Sequence, residues 1–231
     1  MNSSTMAAGS GWSRRGFAVS CLAATGLLAV PSIGRAAVPP LDRRFAIFRD
    51  GDEIGRHEVR FEPTTDGFDV TTDIDIVVKL AFITAFHFRQ HAVDHWVAGN
   101  LVESRVTTDD NGTRSATEIE ARGSALSVEG GTENRTLRVP LGTMTDIAFW
   151  NLAIVRQREL VDIQKATLTD VAARHLGSEG VDIGGQRVEA ERFTIHSNTG
   201  RNGDIWFDAA GNWVKGYLVT RGEALDYQLI V

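Results

Sequence analysis

Cysteine is nearly absent, since the 231 residues include a single one, Cys21. It lies in an N-terminal segment that we expect to be removed, which leaves the rest of the chain without a thiol for a disulfide, a thiolate metal site or a nucleophile. The sequence also contains no phosphate-binding glycine loop, dinucleotide fingerprint or Gly-x-Ser-x-Gly elbow. These absences argue against several classes of enzyme, and we predict a protein without a cofactor.

Long apolar runs are scarce as well. The main one, residues 17–30, contains polar interruptions and is shorter than the ~20 residues that a transmembrane helix needs. Arg14 and Arg15 precede it, and small residues around Ala36 follow it. A charged start, a short apolar middle and a small-residue end are typical of a secretory signal. We therefore predict a signal peptide over residues 1–36 and no integral membrane segment.

The basic residues of this segment indicate the export route. Ser13, the two arginines and Phe17 resemble the twin-arginine signal, which is read by a translocase for folded proteins. Ala18 and Val19 stand where that signal prefers leucine and lysine, so an ordinary Sec signal is the alternative. We expect a periplasmic protein that has the twin-arginine (Tat) translocase as a partner during export.

The rest of the chain, residues 37–231, has the length of one domain, and no linker divides it. The full sequence carries 30 acidic and 24 basic side chains, for a formal net charge of −6, and several of the basic residues belong to the signal segment. Because a negatively charged surface repels phosphates, we expect neither nucleic acid nor an anionic membrane as a partner.

Alternation of apolar and polar residues dominates this domain. In the clearest segment, residues 68–78, Phe68 and Ile74 would lie on one face of a strand while Asp69 and Asp73 lie on the other. Dipeptides that accept positive φ angles separate such segments: Asp50-Gly51, Asp66-Gly67, Gly99-Asn100, Asn111-Gly112, Gly184-Gly185 and Gly211-Asn212. This organisation predicts an all-β protein with a curved antiparallel sheet or an open β-barrel.

One segment, residues 144–157, breaks the alternation. Its apolar residues recur without a period of two, the residues from Thr143 to Asp146 could form a capping box, and Arg156 suits the end of a helix. We predict one main helix here. Because this helix would be apolar on nearly all sides, it should cap the concave side or the mouth of the sheet.

His87, His91 and His95 have the one metal-like spacing that we find in the sequence. On a helix they would share a face, and two of them could bind one zinc ion. The surrounding residues 77–97 have the pattern of a strand, however, on which positions four apart are separated by about 13 Å. We therefore expect a polar strand face at these histidines rather than a metal site.

Paired carboxylates are the remaining candidates for catalysis. Asp73 and Asp75 would project from one strand face, and Asp204 and Asp208 flank an apolar segment. Such acids also keep an exposed sheet face soluble and start turns. We predict no catalytic residue and favour a protein that is not an enzyme, with a carboxylate- or histidine-dependent hydrolase as a lesser alternative.

Turns and aromatic residues give the chain a family resemblance. The segments that carry this resemblance are residues 45–61, the Trp96…Gly99-Asn100-Leu101 hairpin, Phe149-Trp150-Asn151, and the closing segments Asp204-Ile205-Trp206-Phe207-Asp208 and Gly211-Asn212-Trp213-Val214. With these features the sequence resembles an uncharacterised, Tat-exported family of proteobacterial β proteins with a domain of unknown function. That family has no assigned activity or site residue to carry over. In layout the chain is also loosely similar to lipoprotein-carrier-like half-barrels, in which a bent sheet with a helical lid shelters acyl chains, although a fold does not fix a function.

Large aromatic residues indicate where a ligand would bind. We expect an apolar cavity under the helix to be lined by Phe86, Phe88, Phe149, Trp150, Asn151 and Trp206. An ordinary filled core is the alternative for these side chains. The sequence thus predicts a periplasmic protein that binds an apolar small molecule or lipid, and the alternative is a structural or accessory protein that acts through its surface.

Overall fold

The computed structural model describes residues 40–80 and 83–230, so the predicted signal peptide lies outside the described residues. The described chain forms fifteen β-strands and one 3₁₀ helix. The strands are β1 Arg43–Arg49, β2 Asp52–Pro63, β3 Phe68–Leu80, β4 Ile83–Val97, β5 Asn100–Asp110, β6 Thr113–Arg122, β7 Ala125–Gly130, β8 Arg135–Pro140, β9 Met144–Thr145, β10 Glu159–Asp162, β11 Thr167–Ile183, β12 Gln186–Ser197, β13 Asn202–Asp208, β14 Trp213–Thr220 and β15 Glu223–Leu229. The 3₁₀ helix spans Leu152–Arg156.

All fifteen strands belong to one sheet, in the order β8-β7-β6-β5-β4-β3-β2-β1-β15-β14-β13-β12-β11-β10-β9. Neighbours are antiparallel except β9 and β10, which run parallel. The alternation in β3 has the expected result, since Val70 and Ile74 are buried while Asp75 is exposed. The expected all-β class and curved antiparallel sheet are therefore confirmed.

The two ends of the sheet meet through a turn instead of a strand ladder. The turn between β10 and β11 lies against β6 and the turn that precedes β8. There the Thr132 N–H donates to the Gln164 carbonyl (2.9 Å), and the Thr117 hydroxyl donates to the Ile163 carbonyl. The curled sheet thus forms a barrel-like wall around one interior.

The expected main helix over residues 144–157 is wrong. Within residues 40–80 and 83–230 the structure contains no α-helix, and none of the described helices is long and apolar enough to cross a membrane. The segment begins as β9, because the Asp146 N–H donates to the Val161 carbonyl of β10 (3.0 Å). It continues through turns into the short 3₁₀ helix, which Asn151 caps by accepting from the Ala153 N–H (2.9 Å). Contacts with the sheet override the helical pattern, because the adjacent residues Phe149 and Trp150 pack against different parts of it, Trp213 and Trp96.

The interior is filled at one end. There Trp150, from the segment that was expected to be helical, lies edge-on to Trp96 and Phe61, with ring centroids 5.1 Å away in both pairs. Phe45 and Trp213 pack with their centroids 3.9 Å apart in the same core. We call this aromatic end the floor. The opposite end, where β1, β5 and β14 end and β2, β6 and β15 begin, we call the mouth.

Candidate ligand-binding cavity

A cavity of about 500 Å³ lies inside the sheet on the mouth side of the floor. Its wall is mostly apolar because the inner-face positions of the strands carry branched and aromatic residues. The apolar residues of this wall include Ile74, Ile76 and Val78 of β3, Phe86 and Phe88 of β4, Ile147, Phe149, Leu160, Ile205, Leu218 and Leu225. The aliphatic part of this wall was not predicted from the sequence, although the alternation in β3 places three of its members on one face.

Three of the six expected wall residues line the cavity. Phe86 and Phe88 do so from β4, and Phe149 does so from the turn that precedes the 3₁₀ helix. Phe149 also contacts Trp213, with ring centroids 6.0 Å apart, and so joins the wall to the floor. Phe149 thus joins Phe86 and Phe88 at the cavity although it lies far from them in the sequence.

The other three expected residues lie elsewhere. Trp150 is part of the floor, and Asn151 caps the 3₁₀ helix. Trp206 is buried on the outer face of β13, between the Arg192 guanidinium and the Lys215 ammonium at 5.0 and 4.9 Å from its ring. Its position differs from the expected one because Ile205 and Phe207, its neighbours in an alternating strand, take the inner face.

A first ion pair crosses the mouth. Arg221, in the turn between β14 and β15, pairs with Asp110 at the end of β5, and its Nη1 lies 2.9 Å from Oδ1. The Gln164 amide also donates to Asp110 (2.7 Å), and the guanidinium of Arg221 lies 5.7 Å from the ring centroid of Phe86. These donors, led by Arg221, lower the pKa of Asp110 below its usual range.

A second ionic group lies beside it. Arg201, in the loop between β12 and β13, pairs with Asp146, and its Nη2 lies 3.5 Å from Asp162 Oδ2. Burial raises the pKa of Asp146 to about 6, and the nearby Asp162 adds to the rise while Arg201 opposes it. No sequence spacing predicts either group, because the partners are 111 and 55 residues apart.

The three histidines of β4 lie on its outer face, each beside a carboxylate of a neighbouring strand. The distances are 3.1 Å for His87 to Asp109, 2.7 Å for His91 to Asp73 and 2.6 Å for His95 to Asp69. Each side chain thus has its own carboxylate partner, and the three do not converge on one point. In the part of the chain that the structure describes, no group of three or more His, Cys, Asp or Glu side chains could hold a metal ion.

Two ionisable side chains are buried in the core: His57, which has no hydrogen-bond partner among the described residues, and Asp94, which has the donors of Ser104 and Trp96 beside it. His57 is 1% exposed and lies among Phe45, Trp213 and Tyr227, where burial lowers its pKa to about 3. Asp94 is also 1% exposed, and burial raises its pKa to about 6. Burial therefore disfavours the charged form of each group.

The cavity offers binding surface more than reactive groups. Asp146, the wall carboxylate with a raised pKa, already accepts from Arg201 and from the Ile163 N–H (3.3 Å). A general acid or base needs an oxygen that is free to meet its substrate. The arrangement at Asp146 favours a structural role at the mouth.

Comparisons with known proteins agree with this barrel-like fold. The model of a protein family described as "Domain of unknown function (DUF6134)" matches residues 45–230, so the chain belongs to this family. No curated protein matches the sequence. The chain is similar to a crystal structure described as a beta-barrel-like protein of domain of unknown function DUF1849 from Brucella abortus, with 9% identity and a TM-score of 0.58 over 82% of this chain and 94% of that one. At that identity the likeness concerns the fold alone.

Proposed function

We propose that this member of the DUF6134 family is an exported periplasmic protein that binds an apolar or lipid-like ligand inside its curled sheet. The observation that carries the proposal is the cavity of about 500 Å³ with a predominantly apolar wall. Pockets that bind small molecules have volumes of roughly 300–1,000 Å³ and walls of this kind. The twin-arginine-like segment ahead of residue 37 supports the location.

The aromatic floor determines how a ligand would enter. Trp96 and Trp150 fill the interior at that end and are 1% and 5% exposed, so a ligand cannot pass between them without unpacking the core. Entry is therefore from the mouth, past Arg201 and Arg221. An apolar chain would lie along Phe86, Phe88 and Phe149.

Binding of the fluorescent apolar probe N-phenyl-1-naphthylamine tests the proposal. Leu218→Trp should fill part of the cavity and weaken probe binding by about tenfold or more, because about 1.4 kcal/mol of lost contact is enough for that change. The matched control is Val93→Trp, which places the same side chain on the outer face of β4 and should leave probe affinity unchanged.

Native mass spectrometry of protein purified from the periplasm provides a second test. The spectrum should show a bound organic molecule that is lost in Leu218→Trp. Failure of the wild-type protein to bind either the probe or a copurified molecule would refute the proposal, and recovery of the processed chain only from the cytoplasm would refute the location.

A further inference from the structure

The polar groups of the cavity are concentrated near the mouth. Gln164 lies in the turn after β10, Thr169 lies near the start of β11, and Arg201 and Arg221 lie in loops that border the mouth. Toward the floor the cavity meets the aromatic core, through Phe149 and its contact with Trp213. The cavity is thus amphipathic along its length, and this asymmetry bears on the kind of ligand that it would accept.

The charges at the mouth determine which head group fits. Two guanidinium groups, those of Arg201 and Arg221, lie among three carboxylates, those of Asp110, Asp146 and Asp162. The other arginine of the wall, Arg49, lies 3.9 Å from Glu223 and adds no net charge. An anionic head would therefore enter a region that already has an excess of negative charge, at an unfavourable Coulomb energy.

A cationic head fits no better, because the carboxylates are already occupied and buried. Asp110 is 9% exposed and accepts from Arg221 and Gln164. Asp162 is 1% exposed; its Oδ1 accepts from the backbone N–H groups of Gln164 and Lys165, and its buried Oδ2, which has no hydrogen bond among the described residues, faces the Arg201 guanidinium at 3.5 Å. An ammonium group would have to displace these donors to reach an oxygen.

Hydrogen-bond donors remain available at the same place. The Thr169 side chain lines the cavity, is 5% exposed and has a buried hydroxyl without a hydrogen-bond partner among the described residues. Arg201 and Arg221 keep 40% and 56% of their side-chain surface exposed, and each guanidinium has more N–H donors than one carboxylate can accept. A buried hydroxyl without a partner is costly, so a ligand oxygen at this position would be stabilised.

We propose that the cavity binds an acyl chain whose polar head is uncharged and accepts hydrogen bonds, as an ester does, with the head at Thr169 and the chain toward the floor. This inference rests on the proposed binding function and specifies the ligand class of the same site. The carbonyl oxygen of the head accepts from the Thr169 hydroxyl. The arginines, held by their carboxylates, offer further donors without changing the charge of the site.

Displacement of N-phenyl-1-naphthylamine by three amphiphiles of one chain length tests this ligand class. The probes are 1-monomyristoylglycerol, myristate and tetradecylammonium, measured at about pH 8, where Asp146 is ionised. The glycerol ester should bind about tenfold more tightly than either charged amphiphile. Equal affinities, or tighter binding of myristate or tetradecylammonium, would overturn the inference while leaving cavity binding intact. If the fluorescent probe itself does not bind, the proposed function fails instead.

A hydroxyl deletion tests the placement of the head. Thr169→Val should weaken binding of the glycerol ester by about three- to tenfold and leave the affinity for N-phenyl-1-naphthylamine unchanged, because a single hydrogen bond is lost. Thr72→Val is the matched control, since Thr72 also has a buried hydroxyl without a partner but does not line the cavity. The same loss in both variants, or no loss in Thr169→Val, would show that the head does not lie at Thr169.

Discussion

Two buried side chains, His57 on β2 and Asp94 on β4, link the stability of this protein to pH in opposite directions. Both lie on the inner face of the sheet, where His57 has no hydrogen-bond partner among the described residues and Asp94 lies beside the donors of Ser104 and Trp96. Most other ionisable groups described above lie in ion pairs at the surface or at the mouth. The pH dependence of the free energy of unfolding at these two groups therefore measures the cost of placing a charge in the core.

His57 should destabilise the folded protein in acid. Its pKa falls from 6.5 to about 3 on folding, so between these values the unfolded chain binds more protons and the free energy of unfolding decreases as the pH falls. The slope approaches about 1.4 kcal/mol per pH unit. His57→Leu should remove this contribution to the pH dependence of the free energy of unfolding, as measured by urea denaturation between about pH 3 and 7. His175→Leu, a control on an exposed histidine, should retain the slope.

Asp94 should have the opposite effect. Its pKa rises from 3.8 to about 6 on folding, so the folded protein binds more protons between these values and loses stability as the pH rises through them. Asp94→Asn should therefore stabilise the protein by up to about 3 kcal/mol at about pH 8 and by little at about pH 4. Asp75→Asn, at an exposed carboxylate, is the control and should not show this difference between the two pH values. A stabilisation that is the same at both pH values would contradict this assignment.

At the scale of the elements, the turn between β10 and β11 holds the two ends of the sheet together. The buried Thr117 hydroxyl donates to the Ile163 carbonyl in this turn and accepts from the Gly131 N–H (3.1 Å). Thr117 thus connects β6 to an element that shares no strand ladder with it. Loss of the Thr117 hydroxyl should therefore destabilise this turn more than it destabilises the strands.

Thr117→Val should lower the free energy of unfolding by about 1–3 kcal/mol, because it leaves the Ile163 carbonyl without its donor and removes one of the two acceptors of the Gly131 N–H, which keeps the Ala116 carbonyl (2.9 Å). Amide hydrogen exchange should accelerate around residues 163–166 more than in β3. Thr72→Val makes the same change at a hydroxyl without a partner and should be neutral or stabilising. If both variants lose equal stability, the hydrogen bonds of Thr117 do not secure the turn.

The elements differ in how well the sequence predicts them. The strand at residues 68–78 was predictable, because inner and outer residues alternate there; the turn between β5 and β6 was predictable as well, because Asn111 and Gly112 take the positive φ angles of tight turns. The segment at residues 144–157 was not, because its conformation depends on the bond from Asp146 to Val161 and on packing of Trp150 against a distant strand. Local periodicity contains no information about such contacts.

At the scale of the whole molecule, the same limit applies to the cavity. Phe86, Phe88 and Phe149 were predicted to line it and do so, since each occupies an inward position of its segment. The groups at the mouth were not predicted, because Arg221 and Asp110 meet only when the sheet curls and brings β5 opposite the turn between β14 and β15. The charge pattern of the site is a property of the closed shape.

The pairing of β1 with β15 also has a consequence for biosynthesis. Phe45 of β1 lies opposite Leu229 of β15, so β1, the first of the described strands, acquires its second neighbour only when β15, the last of them, has left the ribosome. Until then a nascent chain has two unprotected backbone edges in what will become the middle of the sheet, and such edges invite aggregation. The sheet can therefore acquire its full cooperativity only after β15 has been synthesised.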